Sequence, residues 1–177
     1  MKKPDSILGL VYAAMFGALT AAGAYIAIPV PPIPITTQTL FIFLAAALLG
    51  GRLAALSQII YILLGVMGLP VFTGGKAGFG VLMGPTGGYL VGFVIGAFVS
   101  GIMIETRALP RFAWTVFSLA VGLAVIYLVG MVRLAFFLEI SLQKAFVIGV
   151  VPVIPGDILK MAVAAFVAGR LKPKLRL

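Results

Sequence analysis

The sequence contains no cysteine and no histidine in 177 residues, and only four acidic side chains against 13 basic ones. The absence of cysteine excludes disulfides and thiol nucleophiles, and the absence of histidine excludes imidazole proton relays. Without either residue, the chain also lacks the usual protein ligands of zinc and haem. A phosphate-binding loop is also missing, because neither Gly75-Lys76 nor residues 84–89 show its Gly-Lys-Ser/Thr ending. We therefore expect no catalytic residues, no metal, no cofactor and no ATP hydrolysis by this chain.

Charged residues are also scarce: they make up 10% of the chain, while hydrophobic residues make up 63%. Soluble domains contain about 25% charged and about 45–50% apolar residues. The chain lacks the polar side chains that would cover a surface in water, so we predict one integral membrane domain over residues 1–177, in contact with the lipid bilayer. The net charge of +9 does not indicate a nucleic acid partner, because most basic residues separate apolar runs, as cytoplasmic charges do.

The apolar runs predict the fold class. A membrane-spanning helix needs about 20 mostly apolar residues. Six runs reach or approach that length and predict an all-α bundle of six transmembrane helices: residues 7–28, 36–49, 53–67, 84–104, 112–132 and 157–170. Three irregular segments follow the first, third and fifth runs and therefore fall on the same side: a proline-rich 29–34, a glycine-rich 69–80 and a proline-broken 145–156. Residues 133–144 are mixed in polarity and are predicted to be a connection.

The distribution of basic residues predicts the orientation. With six helices, both termini share one side with nine basic residues: Lys2, Lys3, Arg52, Arg107, Arg111, Arg170, Lys172, Lys174 and Arg176. The other side receives three, Lys76, Arg133 and Lys144. Because cytoplasmic connections carry the excess of lysine and arginine, we expect both termini in the cytoplasm and the three irregular segments on the outer side.

The N-terminus has an alternative interpretation as a cleaved signal peptide. Met1-Lys2-Lys3 resembles the basic region of such a peptide, and Ala22-Gly23-Ala24 resembles its cleavage site. The apolar run of residues 7–28 is longer than the about 7–15 residues of a signal peptide's apolar region, which favours a retained helix.

Asp157 and Lys160 are ionisable residues inside a predicted membrane helix. Such a residue costs about 2.5–3.5 kcal/mol to insert, and a spacing of three directs both side chains to one helix face. Pro155-Gly156 opens this helix, which places Asp157 in the first turn beside free N–H groups. Two interpretations stay open: a ligand-binding acceptor and donor, or a helix cap that pairs with Lys160.

Three other segments carry polar or flexible residues near the predicted outer side. Residues 36–39, Thr-Thr-Gln-Thr, either cap the second helix or line a polar pocket. Residues 84–89, Gly-Pro-Thr-Gly-Gly-Tyr, add an amphipathic ring at Tyr89, and their glycines favour helix packing. Residues 69–75 form either a flexible lid beside the cation of Lys76 or a plain connector.

Helix one carries small residues at a spacing of four, at Ala14, Ala18 and Ala22. Such a stripe permits the close approach of another helix. That helix belongs either to the same bundle or to a partner protein, and the spacing does not separate the two.

Taken together, these segments resemble the biotin-specific S components of energy-coupling factor (ECF) transporters, the BioY family. The matching segments are Ile33-Pro34-Ile35-Thr36-Thr37-Gln38-Thr39-Leu40, Gly65-Val66-Met67-Gly68-Leu69-Pro70-Val71-Phe72-Thr73-Gly74-Gly75, Gly84-Pro85-Thr86-Gly87-Gly88-Tyr89 and Pro155-Gly156-Asp157-Ile158-Leu159-Lys160. They cover most of the chain in the right order, and the last two are specific when both occur with this hydropathy.

The resemblance implies a six-helix S component of the prokaryotic plasma membrane that binds biotin from outside the cell. Biotin is then the transported substrate, and no cofactor is implied. The implied protein partners are a membrane T component and two cytoplasmic ABC-type ATPases.

The resemblance also assigns roles to residues. Asp157 and Lys160 carry over as the pair that binds the ureido ring of biotin, which has two N–H donors and one carbonyl acceptor. The carboxylate of the biotin tail needs a cation or N–H groups, and Lys76 and the amides near Gly74 are alternatives for it. The other implied residues are Gln38, Tyr89, Gly74 and Gly75 for the ligand, and Ala14, Ala18 and Ala22 for docking on the T component.

Three other functions compete with this one. An S component for another vitamin is the nearest alternative. A membrane enzyme would have to use Asp157 and Lys160 alone for acid–base chemistry, although enzyme sites normally gather more polar groups. A channel or scaffold is disfavoured because a pore carries polar rings along its length, whereas the polar groups here cluster at one end.

Overall fold

The computed structural model describes residues 7–106 and 112–172. Within them the chain forms eight helices and a two-stranded antiparallel ribbon in which Ala27 pairs with Thr36 and Ile28 with Ile35. The elements in chain order are α1 (Ile7–Tyr25), β1 (Ala27–Ile28), β2 (Ile35–Thr36), α2 (Gln38–Leu49), α3 (Gly51–Val66), α4 (Phe79–Met83), α5 (Gly87–Glu105), α6 (Phe112–Leu138), α7 (Leu142–Gly149) and α8 (Ile154–Leu171). The predicted helical class is therefore confirmed for the described part of the chain.

Several predicted helix boundaries were wrong. The first helix ends at Tyr25 instead of residue 28, because the next residues pair as a strand with residues 35–36. The second, third and fourth helices begin at residues 38, 51 and 87 instead of 36, 53 and 84. The last begins at residue 154 instead of 157, since Pro155 occupies the first turn, where no backbone N–H is needed.

The connection predicted at residues 133–144 is largely helical. α6 continues through Arg133 to Leu138. The Arg133 stem packs over Gly88, and its guanidinium donates to the Met83 carbonyl and lies 5.9 Å from the Phe137 ring centroid. Arg133 can therefore remain near the end of the apolar helix α6, because its stem packs on apolar surface while its guanidinium reaches a polar partner.

Length and composition identify fewer spans than predicted. Among the described residues, α1, α5 and α6 are long and apolar enough to cross a membrane, and α7 with α8 counts as a fourth span if the pair, bent by 60°, is taken as one. α2 and α3 are apolar but have only 12 and 16 residues, short of the about 20 that a bilayer requires.

Apolar side chains fill most of the interior and also cover the outside, and a few polar side chains are buried among them. The fully buried Thr20, Ser57 and Gln58 lie between α1 and α3, where the Gln58 amide donates to Thr20 Oγ1 at 3.2 Å and to Ser57 Oγ at 2.9 Å. Large apolar side chains are also exposed, on α1, α5, α6 and α8 among others. Such a surface suits hydrocarbon, which solvates apolar side chains and leaves polar groups to find partners inside the protein.

Glycines permit a close contact between α5 and α6. A Cβ placed on Gly96 would lie 2.6 Å from the Gly122 carbonyl oxygen, and one on Gly92 would lie 3.0 Å from the Ile126 backbone. The two glycines are four residues apart and therefore form the small-residue pattern that lets membrane helices approach closely.

The two ends of the bundle differ. At one end the predicted irregular segments 29–34, 69–80 and 145–156 come together around a cavity. At the other end α2 turns into α3 at Gly50, whose φ of 84° lies in the left-handed region that favours glycine, and the Glu105 side chain lies against it. Lys172 also lies near this second end, where burial lowers the pKa of its ammonium and the nearby Glu105 carboxylate partly opposes that change. Of the other basic residues used for orientation, Lys2, Lys3, Arg107, Arg111, Lys174 and Arg176 lie outside the described residues.

Gly96→Ala should destabilise the bundle, because the new methyl group would meet the Gly122 backbone. We expect the free energy of unfolding to fall by about 1–3 kcal/mol, as in other overpacked interiors. Gly169→Ala is the matched control, since no atom lies within 4 Å of its Cβ position. Thermal unfolding in detergent measures both, and a Gly96→Ala protein as stable as the control would contradict this account of the contact.

Candidate functional site

A cavity of about 360 Å³ lies at the end of the bundle where the irregular segments meet. This volume falls at the lower end of the roughly 300–1,000 Å³ typical of small-molecule sites. Its polar lining residues are Thr36, Gln38, Thr39, Tyr61, Thr73, Lys76, Thr86, Tyr89, Tyr127, Asp157 and Lys160. Its apolar walls include Phe72, Leu90, Phe93, Ile126 and Val153.

Asp157 is the centre of one polar cluster in this cavity. Its side chain is 2% exposed, and its Oδ1 accepts from Thr39 Oγ1 at 2.7 Å and from Lys160 Nζ at 2.9 Å. Its Oδ2 accepts from the Tyr127 hydroxyl at 2.6 Å. The carboxylate therefore joins α2, α6 and α8, and a charge that would be costly to bury alone has three hydrogen bonds.

Lys160 completes the same cluster. Besides Asp157, its ammonium donates to the Thr36 carbonyl and to Thr39 Oγ1. An ammonium has three hydrogens, and these three contacts use all of them. In this arrangement Lys160 holds Asp157 and Thr36 and has no hydrogen left for a ligand.

The geometry separates the two interpretations of Asp157. The N-cap of α8 is Val153, and each hydrogen bond of the Asp157 carboxylate among the described residues comes from a side chain, not from a helix N–H. Capping is therefore not what this carboxylate does. It faces the cavity instead.

Gln38 is the centre of a second polar cluster. Its Nε2 donates to the Tyr61 hydroxyl at 2.6 Å, and its Oε1 accepts from Thr36 Oγ1 and Thr73 Oγ1, both at 3.1 Å. Gln38 and Thr39 are consecutive at the start of α2 and belong to different clusters. The two clusters therefore lie side by side on the cavity wall.

Tyr89 lines the cavity with its ring, while its hydroxyl points elsewhere. The hydroxyl donates to the Gly149 carbonyl at 2.9 Å, and the ring packs on Gly130. Gly87 and Gly88 pack against α4 and α6, where a Cβ on Gly88 would lie 2.6 Å from the Val129 carbonyl oxygen. The predicted packing role of these glycines is therefore confirmed.

The loop over residues 67–78 covers one side of the cavity. Phe72 is 2% exposed and packs edge-on against Tyr61, with ring centroids 5.6 Å apart. Thr73 binds Gln38 from the same loop. Gly74 and Gly75 form the exposed tip of this turn and do not line the cavity, and the Gly75 N–H already donates to the Phe72 carbonyl.

Lys76 follows this turn at the cavity rim. It is exposed and lines the cavity, and its side chain makes no ion pair with the described residues. Three helices also begin at the cavity, since Gln38, Thr86 and Val153 stand at the starts of α2, α5 and α8. Helix starts carry partial positive charge and free N–H groups, so with Lys76 the cavity favours an anionic ligand group.

Comparison with known proteins identifies the family. The sequence profile described as the BioY family matches residues 1–177. The chain belongs to the BioY family. It is 46% identical to a biotin transporter BioY of Thermotoga maritima over 92% of this chain and 95% of that protein. It is 35% identical to a biotin transporter BioY of Rhizobium etli over 93% of this chain and 91% of that protein.

A solved structure supports the BioY assignment. The crystal structure of the S-component for biotin from an ECF-type ABC transporter matches with a TM-score of 0.86 and 27% identity. The match covers 98% of this chain and 95% of that one. This BioY-family chain is therefore a multi-pass membrane protein with the S-component fold.

Two cavity residues of this BioY-family chain were not predicted from the sequence: Tyr61 on α3 and Tyr127 on α6. Both line the cavity and take part in its polar clusters. Each is a residue with a polar tip in a long apolar run, a signal that could have identified them. Their faces on the helices, however, depend on which neighbours pack beside them.

The alanine stripe of this BioY-family chain lies on the outside. Ala14, Ala18 and Ala22 are exposed, while α1 meets α3 through other residues, among them the buried Gly17 and Thr20. Packing within the bundle therefore does not explain the stripe.

Proposed function

We propose that this chain is the biotin-binding membrane subunit of an ECF-type vitamin uptake transporter in a prokaryotic plasma membrane. It captures biotin at the outer face and delivers it with an ATPase-driven partner module, as a transport protein and not as an enzyme. The observation that carries the proposal is the cavity around Asp157 in a chain of the BioY family.

The chemistry of the cavity suits biotin. Oxygen acceptors of the Asp157 cluster stand beside the donors of Gln38, and both lie among apolar walls. A ureido ring offers N–H groups to the first and a carbonyl to the second, and the apolar walls suit the ring system and alkyl tail. Asp157, Gln38 and Tyr89 are therefore proposed as substrate-binding residues, and Lys160 as the residue that positions Asp157.

Asp157 has one position left for the ligand. A carboxylate oxygen accepts about two hydrogen bonds, and Oδ1 already accepts two while Oδ2 accepts one. We place one ureido N–H on Oδ2, beside the Tyr127 hydroxyl. Lys160 contributes by holding Asp157 in its orientation.

Lys76 is proposed for the tail carboxylate. It stands at the rim, its ammonium makes no ion pair within residues 7–106 and 112–172, and the helix starts of α2, α5 and α8 add positive potential to the cavity. The amide of Gly75 is a weaker candidate because it already donates to Phe72. Gly74 and Gly75 would then act by shaping the turn that precedes Lys76.

The proposed topology has six transmembrane segments in one substrate-binding domain with cytoplasmic termini. α1, α2, α3, α5, α6 and the bent α7–α8 pair supply the six segments, with α2 and α3 as short ones. The gathering of the three irregular segments at one end supports this, because six segments place those connections on the same side. That end faces outward under the charge rule.

Labelling of single cysteines tests this topology, because the natural chain has none. In intact cells, a membrane-impermeant thiol reagent should label Ala77→Cys, which lies in the loop at the cavity end. It should not label Thr106→Cys, which is exposed just beyond α5 at the opposite end, until the cells are permeabilised. The reverse pattern would invert the proposed orientation.

The proposed partners are a membrane T component and two ABC-type ATPase subunits. The exposed stripe Ala14, Ala18 and Ala22 gives a helix of the T component a surface for close approach. Because these residues do not line the cavity, docking and ligand binding use different surfaces.

Ala18→Trp should block assembly with the partner module and leave biotin affinity within about twofold, since the stripe lies away from the cavity. Val163→Trp is the control, because it places the same side chain on an exposed site of α8. Copurification with the partner subunits and titration with biotin give the two readouts. Assembly of Ala18→Trp equal to that of the control would remove the docking role.

Asp157→Asn should weaken biotin binding by about tenfold. Hydrogen bonds to a charged group contribute roughly 1.5–3 kcal/mol against about 1 for neutral ones, and 1.4 kcal/mol corresponds to about tenfold in affinity. Asp157→Ala should bind more weakly still, because Lys160 would lose its anionic partner. Isothermal titration with biotin measures both variants.

Glu139→Gln is the control for loss of a carboxylate, since Glu139 is exposed and does not line the cavity. Thermal unfolding of each ligand-free variant reports any general damage. Biotin affinity that stays at the wild-type value in both Asp157 variants would remove this carboxylate from the site.

A further inference from the structure

Three tyrosines line the cavity, and their hydroxyls differ in what they bind. Tyr89 donates to the Gly149 carbonyl, and Tyr127 donates to Asp157 Oδ2. Tyr61 has no exposed surface, and among the described residues its hydroxyl only accepts, from Gln38 Nε2 at 2.6 Å. A buried hydroxyl normally donates as well, so Tyr61 has a hydrogen without an acceptor.

Counting hydrogens in the Gln38 cluster leads to the same point. The Gln38 amide has two, and Tyr61, Thr36 and Thr73 have one each, which makes five. Three hydrogen bonds join these side chains and use three of the five. Both threonine hydroxyls donate to Gln38 Oε1, so the two hydrogens that remain are on Tyr61 and on Gln38 Nε2.

The Asp157 cluster has the opposite balance. The three hydrogens of Lys160 and the hydroxyl hydrogens of Thr39 and Tyr127 all go to acceptors within the cluster or to the Thr36 carbonyl. What remains are acceptor positions on Asp157 Oδ2 and on the Tyr127 oxygen. This cluster can receive hydrogen bonds from a ligand but has none to give.

We propose that Tyr61, together with Gln38, is the donor end of the ligand site and selects ligands by a carbonyl acceptor. If biotin is the substrate, as proposed above, the Tyr61 hydroxyl and the free Gln38 hydrogen bind the ureido oxygen, while Asp157 accepts from a ureido N–H. Lys160 then positions Asp157 and does not bind the ureido oxygen.

The packing around Tyr61 supports this role. Phe72 meets its ring edge-on, and Gln38 fixes its oxygen, so the hydroxyl has little freedom to turn toward another acceptor. A buried donor in the wall of a cavity favours a ligand that offers an acceptor there and disfavours one that does not, because the donor would stay unpaired.

Tyr61→Phe tests the proposal, with biotin and an analogue whose ureido oxygen is replaced by sulfur, a weaker acceptor. Biotin affinity should fall about five- to tenfold in Tyr61→Phe, whereas affinity for the sulfur analogue should change less than about twofold. Tyr12→Phe is the matched control, because Tyr12 lies on α1 and does not line the cavity, and it should leave the ratio of the two affinities unchanged.

Two further measurements keep the outcomes distinct. Gln38→Met removes the other free hydrogen and should also lower the preference for biotin over the analogue, which tests the site even if Tyr61→Phe does not fold. Equal losses for both ligands in Tyr61→Phe, or a loss of preference in Thr73→Val alone, would overturn the assignment to Tyr61. A wild-type protein that binds no biotin would overturn the proposed function instead.

Discussion

The burial of the Asp157 carboxylate is the constraint on which the site depends. A charge with almost no exposure needs partners, and it finds them on α2, α6 and its own helix. Lys160 carries the connection further, to the Thr36 carbonyl in the ribbon. Breaking a buried pair costs about 3–5 kcal/mol, so these elements are held in one arrangement at the cavity wall.

The membrane explains why irregular backbone gathers at one end. In hydrocarbon every N–H and C=O needs a partner, so loops and broken helices occur only where protein or a water-filled cavity surrounds them. Here the ribbon, the turn at Phe72 and the bend between α7 and α8 all border the same cavity. The free N–H groups at the starts of α2, α5 and α8 would be costly to expose to lipid. At the cavity they instead give its lining a partial positive charge.

In the proposed site, the two polar clusters contact different groups of the ligand. In the Asp157 cluster the hydrogens of Lys160, Thr39 and Tyr127 are all bonded within the protein, and acceptor positions remain. In the Gln38 cluster the amide oxygen accepts from two threonines, and donor hydrogens remain. A ligand with adjacent N–H and carbonyl groups satisfies both. The outer surface, including the alanine stripe, stays apolar and free of these demands, so a partner can dock there without disturbing the cavity.

The sequence by itself determined the membrane class, most of the helices, the segments that border the cavity and the family. Those features depend on composition, on apolar runs and on short motifs, which are local. It also identified Asp157 with Lys160, because a spacing of three places both on one helix face. Only the tertiary structure decided the rest: that Asp157 binds Thr39 and Tyr127, 118 and 30 residues away, instead of capping its helix. The hydrogen bond from Gln38 to the Tyr61 hydroxyl, the outward turn at Gly74 and the exposure of Ala18 likewise depend on which segments lie beside them. Hydrogen-bond partners and burial are properties of contacts between distant segments, and no local pattern encodes them.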